Sequence, residues 1–278
     1  MDDPEGWFAG LDSGDAAAGA ERIRAGEAST PAAWPRMAVE SGFAADTDEY
    51  YESLHEATLA ATRAAVAERE GADDRQLVHA VRAMDDCRRQ ANELAERLAE
   101  WAGSRDPDAG TGIAYARELA SRDPEDPVGR EVVGLAADAV ALEDRADRLG
   151  AFLERAAPEV APNLSAMAGP VLAARLVSLA GGLESLAKKP SGTVQVLGAE
   201  DALFAHLQGD APSPKHGAIF AHEYVRNTRP SERGSAARAL AGKLSIAARV
   251  DHYSGDRRPE LAAQLEERIE RIRARDSG

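Results

Sequence analysis

His216 and His222 stand close to Glu223, a neighbourhood in which a carboxylate could orient an imidazole for proton transfer. Such neighbourhoods are frequent, and nothing in the chain extends this one into a catalytic motif. The remaining histidines are too scattered for an H-E-x-x-H zinc arrangement, and the lone Cys87 cannot supply a set of thiolates. Neither a G-x-x-x-x-G-K-[ST] phosphate loop nor a G-x-S-x-G elbow occurs. No catalytic residue, metal or cofactor is expected.

Anion binding is the chemistry better represented. In a helix read over Gly234–Val250, Arg238, Gly242, Ser245 and Arg249 fall at positions 0, 4, 7 and 11 and share one stripe. Leu240, Leu244 and Ala247 form the opposite, packing side. Two planar guanidinium forks flanking small residues suit phosphate. Pairing with Glu200, Asp201 or Asp251 would account for them equally well. The loop Pro214-Lys215-His216-Gly217 adds a cation and a flat ring of the kind that stacks on unpaired bases, although a solvated loop has the same composition.

The elements that must position these side chains are helical. Aromatics make up only 5% of the chain while Ala is abundant and charged residues reach 29%, which favours long helices over a β-sandwich. Residues 1–35 give a weak helical signal around Ala16–Arg24. Tyr50, Leu54, Ala57, Leu59, Ala61 and Val66 then mark an amphipathic helix behind a cap at Asp46–Asp48. A helix beginning at Asp73 or Asp74 carries Leu77, Val81, Met84, Ala91, Ala95, Leu98 and Ala102, with Arg88 as its one polar break, over roughly 43 Å. After a Pro/Gly-rich stretch with a short helical piece at Ile113–Leu119, Val132, Leu135, Ala139, Leu142, Ala146, Leu149 and Leu153 recur at strict 3/4 spacing.

Two such rods joined by a Pro/Gly-rich tip predict an antiparallel hairpin. Its remaining apolar positions, Leu135, Leu142 and Leu149 among them, could pair two copies of the chain or complete an ordinary helix pair. Past Pro158 and Pro162 the helices shorten. Asn163 is expected to cap a helix over Leu164–Leu179, TVQVLG to be irregular, and Glu200–Leu207 to be helical. Pro259–Arg275 is expected to be an amphipathic surface helix.

A net charge of −15 argues at first against a nucleic-acid partner. The average conceals a division. Residues 1–160 hold 35 acids and 17 Lys/Arg, whereas residues 161–278 hold 13 acids and 16 Lys/Arg, so only the second part suits an anionic partner. All four lysines lie there: Lys188, Lys189, Lys215 and Lys243. The dense acidity, with arginine far outnumbering lysine, also fits a salt-loving source. Cys87 permits no intramolecular disulfide, and the acidic start MDDPEG lacks the pattern of a signal peptide. The apolar stretch Val171–Leu183 is interrupted by Arg175 and too short to span a bilayer. A soluble cytoplasmic protein without a membrane partner is expected.

The run APNLSAMAGPVLAARLVSLAGGLESLAKKPSGTVQVLGAEDALFAHL (161–207), followed by PKHGAIF (214–220) and ERGSAARALAGKLSIAARVDHYSG (232–255), resembles the Nop domain. That family comprises core proteins of box C/D guide ribonucleoproteins and a spliceosomal relative, and this chain looks like the archaeal member. DRQLVHAVRAMDDCRRQANELAERLAEW (74–101) and EDRADRLGAFLERAAPEVAPNL (143–164) resemble the family's coiled-coil insert.

The resemblance implies a mainly α scaffold in four parts. Residues 1–73 would form a reduced N-terminal fibrillarin-binding region, 74–157 a coiled-coil hairpin that pairs two copies, 158–255 the Nop domain, and 256–278 a C-terminal amphipathic helix. The Nop domain would bind a kink-turn guide RNA together with the ribosomal-type protein already on it. Fibrillarin would perform the ribose methylation with S-adenosylmethionine.

By position, Gly198, Ala199 and Glu200 match the family's GAEK-type motif. Lys215 and His216 match its loop near the RNA, and Arg233, Arg238, Lys243 and Arg249 match its basic helix. Trp34, Met37, Phe43 and Tyr51 are candidate fibrillarin anchors or core residues. Archaeal relatives have basic residues where this chain has Asp201, Ala205 and Ser235, which implies recognition by shape and hydrogen bonding more than by charge. Without the resemblance, the helical pattern alone would suit a dimerising adaptor that binds only proteins.

Overall fold

The computed structural model describes residues 6–26, 32–124 and 126–274, and no β-strand occurs among them. The MDDPEG start, apart from Gly6, and the last predicted helical residue, Arg275, lie outside these ranges. The chain divides into two units, Met1–Ala72 and Asp73–Gly278.

The first unit holds α1 (Ala16–Ala25), α2 (Trp34–Glu40) and α3 (Thr47–Gly71). Asp46 caps α3 by accepting the Glu49 N–H at 2.9 Å. Phe8, Ala38, Phe43, Ala44 and Tyr50 form the core, and the Trp7 indole N–H donates to the Tyr50 hydroxyl at 3.3 Å. The candidate anchors therefore separate. Phe43 is a core residue, Trp34 and Met37 are half-buried against it, and Tyr51 is exposed. In α3 the packing face is Tyr50, Ser53, Ala57 and Ala61. Leu59 and Val66, expected on that face, point to solvent, because small residues close the helix contacts and leave the larger ones out of phase.

The second unit is built on two long helices, α4 (Asp73–Gly103) and α6 (Pro127–Val160), with α5 (Gly112–Leu119) between them at the tip. Asp126 caps α6 through the Gly129 N–H at 2.8 Å and pairs with Arg105, which holds the tip closed. Leu77, Val81, Met84, Ala91, Ala95, Leu98 and Ala102 of α4 are buried, as the spacing predicts. The polar break Arg88 reaches Asp147 across the pair at 3.4 Å. On α6 the buried line is Val132, Ala139, Ala146 and Leu153, whereas Leu135, Leu142 and Leu149 stay half-exposed beside it. Alanine lets the two backbones approach and pushes the leucines to the flank.

Seven shorter helices and one long one make up the rest of this unit. They are α7 (Pro162–Ala168), α8 (Pro170–Ala180), α9 (Leu183–Lys188), α10 (Ser191–Val196), α11 (Glu200–Leu207), α12 (Glu223–Arg226), α13 (Arg233–Tyr253) and α14 (Glu260–Arg273), with α7 and α8 against the long pair. Two expectations are corrected here. The helix predicted over Leu164–Leu179 is broken at Gly169-Pro170 into α7 and α8, which meet at a bend of 116°. TVQVLG is not wholly irregular, since α10 forms with Val194 and Leu197 buried in the core. Packing there overrides the weak helix preference of Thr and Val.

Short helices expose many unpaired N–H groups at their starts, and distant carboxylates satisfy them. Asn163 does not cap α7. Asp251 of α13 does so, buried and accepting the Asn163 N–H at 3.0 Å, the Leu164 N–H at 2.8 Å and the Asn163 side-chain amide at 2.6 Å. Asn163 in turn accepts the Arg258 N–H at 2.6 Å and donates to the Asp256 carbonyl at 2.8 Å. Asp74 of α4 accepts the Leu183 N–H at 2.8 Å and so caps α9. Arg82 donates to Ser178 Oγ at 3.1 Å and Arg175 pairs with Asp85, which fastens the base of the long helices to α8.

Asp251→Ala would leave two buried N–H groups unpaired. It should destabilise the second unit by about 3–4 kcal/mol, read from denaturant midpoints. Asp256→Ala should stay within about 0.5 kcal/mol, since only its backbone groups are used.

Candidate nucleic-acid interface

Two segments far apart in sequence meet in front of the first turn of α13. The Gly217 N–H donates to the Gln195 carbonyl at 2.9 Å and the Ala218 N–H to the Leu197 carbonyl at 2.7 Å. The Gln195 side-chain amide donates to the Lys215 carbonyl at 2.7 Å. Loop 214–218 is thus fixed edge-on to the end of α10. Any side chain at position 217 would place its Cβ about 2.1 Å from the Leu197 carbonyl oxygen, so only glycine fits. Gly198 turns the chain out of this contact at φ +83°, and its N–H is taken by the Glu200 carboxylate at 2.8 Å. The GAE motif is a turn that closes on itself, and a Cβ at Gly198 would lie 3.3 Å from that of Ala218.

Lys215 is exposed, and its side-chain carbons lie against Gly234 at the start of α13. His216 stacks on Phe220 with ring centroids 4.5 Å apart and planes at 21°. The Arg233 guanidinium stands over the same Phe220 ring, 5.4 Å from its centroid. Arg233 is anchored there, donating to the Thr228 carbonyl at 2.9 Å and the Arg226 carbonyl at 3.4 Å. Burial lowers the His216 pKa below the ordinary histidine value, and the charges of Arg233 and Lys215 add to this against an opposing backbone hydrogen bond. Gly198, Ala199, Glu200, Lys215, His216 and Arg233 therefore belong to one neighbourhood. Arg238 is exposed one turn further along α13 and has no side-chain partner among the described residues.

The other two basic positions go elsewhere. Lys243 donates to the Gln264 amide oxygen of α14. Arg249 donates to the Ala187 carbonyl at 3.0 Å and the Lys189 carbonyl at 3.3 Å, closing the C-terminal end of α9. Ser245 is buried and donates to the same Lys189 carbonyl at 3.3 Å. Of the stripe's small residues, Ser245 lies against the end of α9, whereas a Cβ at Gly242 would meet open space. None of Glu200, Asp201 and Asp251 pairs with these arginines. Phe220 and Gln195 were not singled out in the sequence. No helical period marks them, because residues 214–217 are not helical.

His222 does not join His216. Its Nδ1 accepts the Tyr224 N–H at 3.1 Å and caps α12, which leaves Nε2 to donate to the Met167 carbonyl of α7 at 2.9 Å. With both nitrogens engaged, the ring is a strut and not a free base. Burial pushes its pKa below the ordinary value, with the Met167 bond and Glu223 opposing. The unfolded chain therefore takes up more protons as pH falls through the ordinary histidine range. The stability supplied by the neutral ring is complete above that range and is lost below it. His222→Gln should cost about 1–2 kcal/mol at pH 8. The gap to the unsubstituted chain should narrow at pH 5, measured by urea midpoints, and a gap that does not change with pH would contradict the strut.

Comparison with known proteins identifies the family. Residues 73–273 match the family model described as Nop, snoRNA binding domain, fibrillarin. An uncharacterised NOP5 family protein of Methanocaldococcus jannaschii is 32% identical over 86% of this chain and 66% of its own length. Nucleolar protein 58 of Schizosaccharomyces pombe is 31% identical over 74% of this chain and 48% of its own. The chain thus spans between about half and two thirds of these relatives. Among solved structures, a chain of the fibrillarin/Nop5p complex is 25% identical and superposes with a TM-score of 0.52 over 92% of both chains. No single helix among the described residues is long and apolar enough to cross a membrane. By the match over residues 73–273, the chain belongs to the Nop family.

Proposed function

We propose that the chain is a scaffold of a box C/D guide ribonucleoprotein. It bridges a kink-turn RNA, with its bound ribosomal-type protein, to fibrillarin for RNA-guided ribose 2′-O-methylation of rRNA or tRNA. The chain supplies no catalytic group, and methyl transfer belongs to fibrillarin. The observation that carries this reading is the junction of the Gly198 turn, the Lys215–Gly217 loop and the first turn of α13. Lys215, Arg238 and the positive end of the α13 dipole gather cationic character there in a chain of net charge −15. Phe204 and Leu207 of α11, 63% and 75% exposed, offer an apolar surface for the protein half of the composite partner. Asp201, exposed on the same helix, faces that partner better than it would face phosphate.

The other interfaces follow from apolar lines that the packing leaves wholly or partly open. Tyr51, Leu59 and Val66 fall on one stripe of α3, together with His55 and Thr62, and are the docking line for fibrillarin. Val128, Leu135, Leu142 and Leu149 recur every seven residues on the flank of α6, the line along which a second copy pairs. A salt-loving archaeal cytoplasm is the setting that accounts for the acidic surface. In concentrated salt the screening length falls to about 3 Å, and extra lysines would add little.

Joint replacement of Lys215 and His216 by Ala should weaken binding to a preformed kink-turn complex by about 10-fold or more, measured by gel shift. Unchanged affinity would remove the loop from the interface. Tyr51→Arg with Leu59→Arg should abolish fibrillarin capture in a pull-down and leave RNA binding intact. Retained capture would move the fibrillarin site off α3.

A further inference from the structure

The Lys215 loop carries more than a cation. A flexible histidine would lose side-chain entropy on stacking against a base, but His216 is already immobilised on Phe220 at 4.5 Å. Phe220 itself packs against the hydrophobic core and lies under the Arg233 guanidinium, which is held by Nε and Nη2 on the Thr228 and Arg226 carbonyls. Gly217 and Gln195 fix the backbone between the two rings. Phe220 covers one face of the imidazole while His216 keeps partial exposure. An unpaired base presents a flat π-face of matching size, and such stacking tolerates any base identity.

We infer that Phe220 and Arg233 are positioning residues that hold His216 as a pre-stacked platform, and that the open face of this platform receives an unpaired base of the RNA. Arg233 thus acts through the rings. The inference rests on the RNA-facing reading of the Lys215 loop given above. The lowered pKa of His216, with Arg233 and Lys215 as the charges facing it, fits a ring that stacks in its neutral form.

The test uses the full chain. By NMR, the His216 ring protons should show an upfield ring-current shift and titrate below the ordinary histidine range. Phe220→Leu should abolish both features and Phe220→Trp should preserve them. Against a kink-turn RNA with its ribosomal-type protein prebound, Phe220→Leu should weaken affinity about 5- to 20-fold, and Phe220→Trp should stay within about twofold. His216→Leu should match the Phe220→Leu loss, and the double variant should lose no more, since one residue acts through the other. A 2-aminopurine at the unpaired RNA positions should be quenched by the unsubstituted chain and not by His216→Leu.

Additive losses, or failure of Phe220→Trp to rescue, would overturn the positioning role. Lost affinity without any change in 2-aminopurine quenching would assign the ring face to the bound protein and overturn the base contact. If both His216→Leu and Phe220→Leu bind normally while Lys215→Gln binds weakly, the platform is wrong and the RNA-facing loop survives. If Lys215→Gln also binds normally, the RNA-facing reading itself fails. Should Phe220→Leu not fold, His216→Leu, which alters a partly exposed ring, decides by its affinity.

Discussion

Helix ends in the second unit are closed by side chains from far along the chain, and the placement of loop 214–218 depends on that closure. α7 and α9 have only seven and six residues, too few to be stable by themselves in water. Asp251 of α13 binds the buried N–H groups at the start of α7, and Asp74 of α4 binds that of α9. Arg249 and Ser245 of α13 bind the carbonyls at the opposite end of α9. Each end of α9 thus meets a group of the sign its dipole favours, supplied by a long helix. With α9 fixed, α10 follows directly, and the carbonyls of Gln195 and Leu197 stand where loop 214–218 binds them. The site is therefore a consequence of the capping network, not an appendage to it.

The same network explains what could be read from the sequence and what could not. The two rods, α13 and the tail helix were legible because a period of three and four residues survives on any helix that buries one face. Leu261, Leu265, Ile269 and Ile272 of α14 are all buried, as their spacing predicts. The cap of α7 was not legible, because its donor set and its acceptor are 88 residues apart and Asn163 is a good local cap on its own. The break at Gly169-Pro170 was visible as residues, but its 116° bend depends on α8 packing against both α4 and α6.

Side-chain roles show a similar limit. Helical periodicity places Arg238 and Arg249 on one stripe, yet it cannot say which part of the stripe another helix covers. Arg238 remains open and Arg249 is consumed by α9. Lys243 likewise turns to α14. On α3, Leu59 and Val66 were misplaced because hydrophobic size was taken as the guide to the packing face, where alanine and serine do the packing. Lys215 and His216 lie together on loop 214–218, and Phe220, which holds the His216 ring, carries no periodic signal in the sequence.

The surviving basic groups are few, and that shapes the expected mode of recognition. Lys215 and Arg238 stand in front of α13, Arg233 is bound to carbonyls, and Asp201 is exposed nearby. A surface with so little free charge would bind phosphate weakly and gain its affinity from a partner of matching shape, with stacking and hydrogen bonds. The most direct measurement is the affinity of the full chain for a kink-turn RNA across a salt series, with and without the ribosomal-type protein prebound. Tight binding only to the preassembled complex, with a shallow dependence on salt, is the result predicted. Equal affinity for the free RNA with a steep loss in salt would contradict recognition of a composite surface.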